Sequence, residues 1–217
     1  MTARIIVVTN QKGGAGKSTI VMQLAGAFTR AGGKVLVVDG DPQSTATRWA
    51  SSAPDETPFP AAVVNLAQAG KQLHREVRKF VEDYDWVIID CPPSVDSPVP
   101  QSALLVADIA IVPVIPSPPD LWAAMGIKVL IENAQTVNET LRPFLLANMV
   151  QTTALGKEVL QLLDDFGLPL LKASFGLRTA YRQSSVYGST VFELGSHARV
   201  AQAEVEALKN EILTLWR

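Results

Sequence analysis

Lysine, glycine and serine residues stand close together near the start of the chain. The segment from residue 12 to residue 19 reads Lys-Gly-Gly-Ala-Gly-Lys-Ser-Thr. Glycines allow a backbone to curl until its N–H groups point inward, and the positive end of a following helix adds to them. Such a loop can cradle a polyphosphate, with Lys17 reaching the β- and γ-phosphates and the Ser18 hydroxyl ligating magnesium. The predicted nucleotide contacts are Gly13, Gly14, Ala15, Gly16, Lys17, Ser18 and Thr19.

The flanking sequence provides the structural context that such a loop requires. Residues 4–9 are apolar and β-branched, which predicts a buried strand. Residues 19–30 place Ile20, Leu24 and Phe28 at helical spacing. Strand, glycine loop and helix in this order predict a P-loop for a nucleoside triphosphate at the first strand–helix junction.

Three aspartates follow two further apolar runs. Asp39 and Asp41 come after a strand predicted at residues 34–38, and Asp90 ends one predicted at residues 87–90. In a doubly wound sheet, ligands bind beyond the carboxyl ends of the strands, so these carboxylates should converge on the P-loop. Asp90 is predicted to hold magnesium through a water, although an aspartate here could instead cap a turn. Asp41 could likewise cap the next helix, and both roles can hold at once.

Strand and helix patterns alternate through the rest of the sequence. This alternation predicts an α/β fold in which a doubly wound, mostly parallel sheet is flanked by helices, as one P-loop domain over residues 1–217. Further strands are predicted at residues 61–66, 109–114, 144–148 and 170–174, and helices at residues 72–81, 122–137, 155–166 and 198–216.

Composition excludes several classes of protein. The 217 residues carry a net charge of −2, so no global basic field indicates nucleic-acid binding. Cys91 is the only cysteine, which excludes a disulfide framework within the chain. No apolar run reaches the roughly 18 residues of a membrane span, and no secretory signal precedes the first strand. A cytoplasmic protein is expected.

Four segments together resemble the ParA/MinD class of ATPases, which has a deviant P-loop. They are Lys-Gly-Gly-x-Gly-Lys-Ser at residue 12, Asp-Gly-Asp-Pro-Gln-Ser at residue 39, Ile-Ile-Asp-Cys-Pro-Pro at residue 88 and the proline-rich stretch from Val112 to Asp120. The resemblance covers nearly the whole chain and is nearest to short plasmid-partition and carboxysome-positioning members. It implies ATP and Mg²⁺ as cofactors. It also implies that Lys12 contacts the nucleotide of a partner subunit across a sandwich dimer, that Asp41 orients the attacking water and that Asp39 lies near the metal.

The resemblance also implies a cellular role. Members of this class dimerise with ATP, bind nucleoid DNA without sequence preference and position a cargo such as a plasmid, a chromosome region or a carboxysome. An adaptor of the ParB-like or McdB-like kind stimulates hydrolysis. The expected activity is therefore slow, Mg-dependent, partner-stimulated ATP hydrolysis by a nucleoid-associated homodimer, because an aspartate that only positions water is a mediocre base.

Contacts with DNA and with the adenine base are less directly indicated by the sequence. Arg178, Arg182 and Arg199 are the predicted DNA-binding residues, since a few such arginines would give weak, salt-dependent phosphate contacts. Solvated surface arginines are the alternative. Asn148, at the end of a late strand, is the candidate contact for the base.

Two departures from longer relatives narrow the expectation. The P-loop begins about ten residues into the chain, so no N-terminal helix-turn-helix domain is expected. The C-terminal helix carries Glu204, Glu206 and Glu211 beside its apolar positions, whereas a membrane-binding helix would carry lysines and arginines. We expect this helix to pack on the domain, with no stable membrane insertion.

Other functions remain as alternatives. A MinD-like ATPase acting at the membrane surface is disfavoured by the acidic C-terminal helix. A P-loop kinase or ligase acting on a small molecule is disfavoured by Lys12 and by the lack of an evident acceptor site. An ATPase of the nitrogenase iron-protein type would need two cysteines per chain, which Cys91 alone does not provide.

Overall fold

Seven parallel strands form one sheet in this computed structural model, which describes residues 2–151 and 166–216. The strands follow the order β3-β2-β4-β1-β5-β6-β7, and every pairing is parallel. The predicted α/β fold is therefore confirmed. The strands are β1 (Arg4–Val8), β2 (Val35–Asp39), β3 (Ala62–Asn65), β4 (Trp86–Asp90), β5 (Ile109–Val114), β6 (Arg142–Val150) and β7 (Leu170–Gly176).

Helices cover both faces of the sheet. Residues of α1, α2, α6 and α7 belong to one buried apolar cluster, and residues of α3, α4 and α5 belong to another. The four strands in the middle of the sheet are buried on both faces, which explains their unbroken apolar sequences. The described helices are α1 (Lys17–Arg30), α2 (Thr45–Ser51), α3 (Leu73–Val77), α4 (Pro98–Leu104), α5 (Pro118–Gln135), α6 (Thr179–Val186) and α7 (Arg199–Leu215), with 3₁₀ turns at Ala67–Gln72 and Ser196–Ala198.

Two helix predictions were wrong in their bounds. The helix predicted at residues 72–81 is shorter, because α3 follows a 3₁₀ turn that ends at Gln72 and itself ends at Val77. The next backbone bonds are of the tight i→i+3 kind, such as Phe80 N to Val77 O at 3.0 Å. The helix predicted at residues 122–137 begins at Pro118. Ser117 caps it, and prolines fit the first helical positions because they need no N–H partner there.

Two short helices, α4 and α6, were not predicted. Helix α4 has prolines at its first and third positions, and its start is marked only by the Ser97 cap, whose hydroxyl accepts from Val99 N. The helix predicted at residues 155–166 lies almost wholly outside the described residues.

The C-terminal helix packs on the sheet as predicted. Val205, Leu208 and Ile212 of α7 are fully buried in the same cluster as α1. Glu211 accepts the backbone N–H groups of Lys172 and Ala173 in the edge strand β7, both at 2.8 Å. The apolar face of α7 is thus part of the protein core.

The parallel topology brings distant polar residues to one edge of the sheet. Val8 at the end of β1 pairs in register with Asp90 at the end of β4, and Asp90 pairs with Asp39 at the end of β2. Because all strands point the same way, the loops that follow them share this edge, which we call the nucleotide edge.

Candidate nucleotide site

The glycine loop has the conformation that a phosphate cradle requires. Gly14 and Gly16 have φ angles of 75° and 84°, in the left-handed region that favours glycine. Gly16 directly precedes α1, so the loop ends at the positive end of a 14-residue helix. A Cβ on Gly16 would also collide with the Asn148 side chain, so this position needs glycine for two reasons.

Asn148 contacts the loop itself. Its Nδ2 donates to the carbonyl of Ala15 at 2.7 Å, and the side chain is buried. It also lines a cleft of about 120 Å³ between the P-loop, the end of β6 and α6, together with Thr19 and Tyr181. The next residue, Met149, has a φ of 54°, an uncommon value outside glycine, at an irregularity in the β6–β7 pairing. The structure thus places the predicted base contact against the P-loop.

Asn10 anchors the start of the loop and was not predicted as a site residue. Its Nδ2 donates to the carbonyl of Pro113 in β5 at 2.8 Å, and its Oδ1 accepts from Lys12 N at 3.0 Å. The side chain is buried. A polar residue directly after an apolar strand was the signal that could have identified it.

Lys17 is buried within the loop. Its Nζ donates to the carbonyl of Lys12 at 3.0 Å. Burial lowers the pKa of this ammonium, while the nearby Asp90, Cys91 and Asp41 act in the opposite direction. A neutral carbonyl is a weaker partner for an ammonium than a phosphate oxygen, so Lys17 has more to gain from a polyphosphate ligand.

Asp90 is a buried carboxylate, and within residues 2–151 and 166–216 no group donates a hydrogen bond of good geometry to either of its oxygens. Burial raises its pKa to about 7; the Ser18 hydroxyl and the Lys17 ammonium lower it, and Asp39 and Asp41 raise it further. An unsatisfied buried carboxylate is costly, and a cation at this point would relieve the cost. The arrangement of Asp90 and Ser18 therefore fits magnesium.

Asp39, unlike Asp90, accepts hydrogen bonds from neighbouring residues with both of its oxygens. Its Oδ2 accepts from the backbone N and the hydroxyl of Thr47 at 2.8 and 2.7 Å, and its Oδ1 accepts from Asp41 N at 3.1 Å. These bonds tie the end of β2 to the first turn of α2. A role for Asp39 near the metal stays a prediction, and the structure gives the residue a positioning role.

Asp41 has one oxygen engaged and faces a cleft. Its Oδ1 accepts from Gln43 N at 2.8 Å, which closes the turn after β2. The residue before α2 is Ser44, so Asp41 is not the helix cap considered from sequence. Asp41 lines a cleft of about 440 Å³ between the loops after β2 and β4, opposite Pro92 and Pro93. The carboxylate lies near the phosphate cradle, since its charge opposes the lowering by burial of the pKa of the Lys17 ammonium.

The Lys12 side chain pairs with a residue outside the glycine loop. Its Nζ lies 2.5 Å from Oδ1 of Asp120, in the first turn of α5, and its side chain is 36% exposed. Asp120 also accepts a hydrogen bond from the Ser117 hydroxyl. In the sequence, Asp120 stands out only as the last residue of the proline-rich stretch, and no role was predicted for it.

The three predicted DNA-binding arginines do not form one free cluster. Arg178 donates to Oε1 of Glu204 through Nε at 2.9 Å and Nη2 at 2.5 Å, and Tyr181 donates its hydroxyl to the other oxygen at 2.7 Å. Arg182 and Arg199 are exposed. Arg178 and Arg182 line the small cleft beside the P-loop, whereas Arg199 begins α7.

Two kinds of feature are absent from residues 2–151 and 166–216. No group of three or more His, Cys, Asp or Glu side chains there is arranged to hold a metal ion. A P-loop site needs no such group, because the phosphates provide magnesium ligands. Among the helices of the described part, none combines the length and apolarity needed to cross a bilayer.

Three relatives of known name are similar to this chain. The maintenance of carboxysome distribution protein A of Halothiobacillus neapolitanus is 32% identical over 209 residues, covering 96% of this chain and 95% of that protein. The protein of the same name from Gloeobacter kilaueensis is 32% identical over 222 residues, covering 99% and 96%. The chromosome-partitioning ATPase Soj of Thermus thermophilus is 32% identical over 167 residues, covering 64% and 65%.

Solved structures share the fold. McdA of Cyanothece without nucleotide superposes with a TM-score of 0.82 at 17% identity, over 97% of this chain and 99% of that one. Cobyrinic acid a,c-diamide synthase of Mycobacterium smegmatis, with an ATP analogue and magnesium bound, gives a TM-score of 0.72 at 26% identity, over 86% and 91%. The family model of the CobQ/CobB/MinD/ParA nucleotide binding domain matches residues 6–191. With its deviant P-loop and parallel sheet, the chain belongs to this CobQ/CobB/MinD/ParA family.

Proposed function

We propose that this protein is a ParA-type ATPase that binds ATP and Mg²⁺, closes as a face-to-face homodimer and positions a cargo on nucleoid DNA with the help of an adaptor. Two kinds of similarity support the proposal. Relatives in carboxysome distribution match along nearly their whole length, and a chromosome-partitioning ATPase matches over about two thirds.

Different residues bind the phosphates, hold magnesium and orient water. The loop N–H groups and Lys17 bind the phosphates, and Ser18 and Asp90 would hold magnesium, which when bound neutralises phosphate charge. Asp41, beside the cradle, orients the attacking water. Phosphoryl transfer depends mainly on positioning and charge neutralisation, so these groups suffice without a covalent step.

The position of Lys12 is the observation that carries the dimer proposal. One lysine of the loop, Lys17, is buried inside the cradle, and the other, Lys12, is at the rim and partly exposed. A second ammonium outside its own cradle is available to the nucleotide of a neighbouring copy once it leaves Asp120. Reciprocal contacts of this kind would close two copies around two nucleotides.

The two carboxysome-distribution relatives match this chain over almost its whole length, which favours a protein assembly such as a carboxysome as cargo, with an McdB-like adaptor. A plasmid or chromosome region with a ParB-like adaptor is the second possibility, supported by the similarity to Soj. Arg182 and Arg199, which are exposed, are the proposed DNA contacts. Binding by few arginines would be weak and would fall steeply with salt.

An ATP-dependent synthase is the second candidate function. It is favoured by the 26% identity to cobyrinic acid a,c-diamide synthase and by the shared family model. The two candidates differ in one property, because a synthase needs an acceptor molecule and need not dimerise in response to ATP. Turnover that depends on a small acid or amide donor, in a protein whose mass is unchanged by ATP, would favour the synthase.

The test is ATP-dependent dimerisation of the Lys12→Ala variant, measured by light scattering with ATP and Mg²⁺ against ADP. The Asp41→Ala substitution is added to every protein so that the ATP state persists. We expect Lys12→Ala to bind ATP yet stay monomeric, whereas the matched variant Lys71→Ala, which changes an exposed lysine outside the site, dimerises normally. A Lys12→Ala protein that dimerises as well as its parent would contradict the proposed role.

A further inference from the structure

Helix α5 has an exposed apolar stripe. Trp122, Met125 and Val129 are 73%, 50% and 53% exposed. Their spacing of three and four residues places them on one face of the helix. The opposite face is made of Leu121, Ala124, Ile127, Ile131 and Ala134, all buried against the sheet. The stripe therefore points away from the core. Neighbouring large apolar side chains that are exposed together often mark an interaction surface.

The stripe is continuous with the front of the P-loop. Helix α5 begins beside Lys12, because Asp120 in its first turn pairs with the lysine ammonium. Further along, the Gln11 side chain rests against Gly126, where a Cβ would collide with its amide. Gly126 lies next to Met125 and one turn after Trp122, so Gln11 joins the loop that carries Lys12 to the stripe.

We propose that the α5 stripe packs against a second copy of this chain in the ATP-bound dimer. This inference rests on the proposed function, which brings the fronts of two P-loops together. In a two-fold dimer the same patch is used on both subunits, so a surface that adjoins the Lys12 contact also faces the other copy. The stripe has no charged member, which suits an apolar partner such as itself, and it would supply the buried aromatic anchor typical of interfaces.

Matched valine substitutions test the stripe by light scattering, as above, in the Asp41→Ala protein. Val129→Glu places a charge in the stripe, whereas Val137→Glu places the same charge on a 73% exposed valine just beyond the end of α5. We expect Val129→Glu to weaken dimerisation by about tenfold or more and Val137→Glu to leave it unchanged, because a buried unpaired charge is costly. Binding of a fluorescent ATP analogue should be the same in both, which controls for folding.

Tryptophan fluorescence gives an independent readout. Trp49 and Trp86 are buried and Trp216 is partly buried, so Trp122 is the most exposed of the four tryptophans. ATP should shift the emission to shorter wavelength and reduce acrylamide quenching. Trp122→Phe should keep the dimer and lose the shift, since phenylalanine preserves the apolar contact.

The outcomes separate this inference from the function on which it rests. A parent protein that binds ATP and never dimerises would overturn both. A parent that dimerises, with Val129→Glu dimerising equally well, would overturn only the role of the stripe. If Val129→Glu dimerised but lost stimulation by an adaptor, the stripe would be a docking site for another protein, and the inference would again be wrong.

Discussion

Charged residues are present both at the nucleotide edge and on the surface formed by Arg178, Tyr181 and Glu204, which we call the α6–α7 face. The two regions differ in whether these charges have partners. At the nucleotide edge, within the described part of the chain, Asp90 is buried without a well-formed hydrogen bond and Lys17 donates to a single carbonyl. On the α6–α7 face, both carboxylate oxygens of Glu204 accept hydrogen bonds, one from Arg178 and the other from Tyr181. Buried charge without partners costs stability, and a fold that retains it is prepared for a ligand. Charge that is already paired mainly holds the fold together.

The same contrast separates two neighbouring aspartates. Asp39 and Asp90 lie in register on adjacent strands, and both are buried. Asp39 accepts three hydrogen bonds from Thr47 and Asp41, whereas none of good geometry reaches Asp90 from the residues that the structure describes. Identical side chains in adjacent positions should therefore respond differently to the same substitution.

The largest expected effect is the loss of nucleotide binding in Lys17→Ala. We expect ATP affinity to fall about a thousandfold, which is about 4 kcal/mol, because the ammonium that pairs with the phosphates is removed. Stability should change little, since the lysine gives up only one carbonyl bond and a burial cost. Calorimetric titration with ATP and urea unfolding measure the two quantities. Affinity within threefold of the parent would remove Lys17 from the site.

Asp90→Asn should stabilise the nucleotide-free protein at high pH. The pKa of Asp90 is about 7 when folded and about 4 when unfolded, so the folded state holds the extra proton between these values. The free energy of unfolding therefore falls as pH rises from about 4 to about 7, by up to about 4 kcal/mol. Because the new amide also lacks partners, we expect the variant to recover about 2 kcal/mol at pH 8.

Urea unfolding of both proteins at pH 5 and pH 8 checks this sign. The parent should lose stability between the two conditions by more than the variant does. Magnesium-dependent ATP binding should weaken in the variant at both pH values. Equal pH dependence in the two proteins would show that Asp90 is satisfied by a group within the fold.

Asp39→Asn should lower the free energy of unfolding, the opposite of the effect expected for Asp90→Asn. One oxygen acceptor becomes a donor that faces either the Thr47 N–H and hydroxyl or the Asp41 N–H, so we expect a loss of about 1–2 kcal/mol. Thermal unfolding without nucleotide compares it directly with Asp90→Asn. If both substitutions stabilise the protein, the difference in hydrogen bonding does not govern the two sites.

The smallest effects should separate Arg178 from Arg182. Arg178→Ala leaves Glu204 without its cation and should cost about 1 kcal/mol of stability, a modest value because the pair is partly exposed. Arg182→Ala should cost under about 0.5 kcal/mol and weaken binding to random-sequence DNA severalfold at low salt. Filter binding at two salt concentrations measures the second effect. DNA affinity that depends on Arg178 and not on Arg182 would reverse the assignment.

Local sequence was sufficient where neighbouring residues in the chain decide the structure. The P-loop, its strand and its helix form a continuous segment, so glycine spacing and apolar periodicity predicted all three. Helix bounds were less predictable because they depend on single contacts, such as the Ser117 cap that starts α5 at Pro118. The roles of Asn10 and Asp120 were not predicted, because their partners, Pro113 and Lys12, lie about a hundred residues away in the chain.

The family, the parallel α/β fold and the position of the phosphate cradle could be read from the residues alone, since each depends on residue types at fixed short spacings. Which charges are free to act became known from the folded arrangement. Asp39 and Asp90 cannot be told apart by type, and neither can Arg178 and Arg182. Their difference arises from partners that the fold brings from distant segments, because the energy of a charge in a protein depends on what surrounds it.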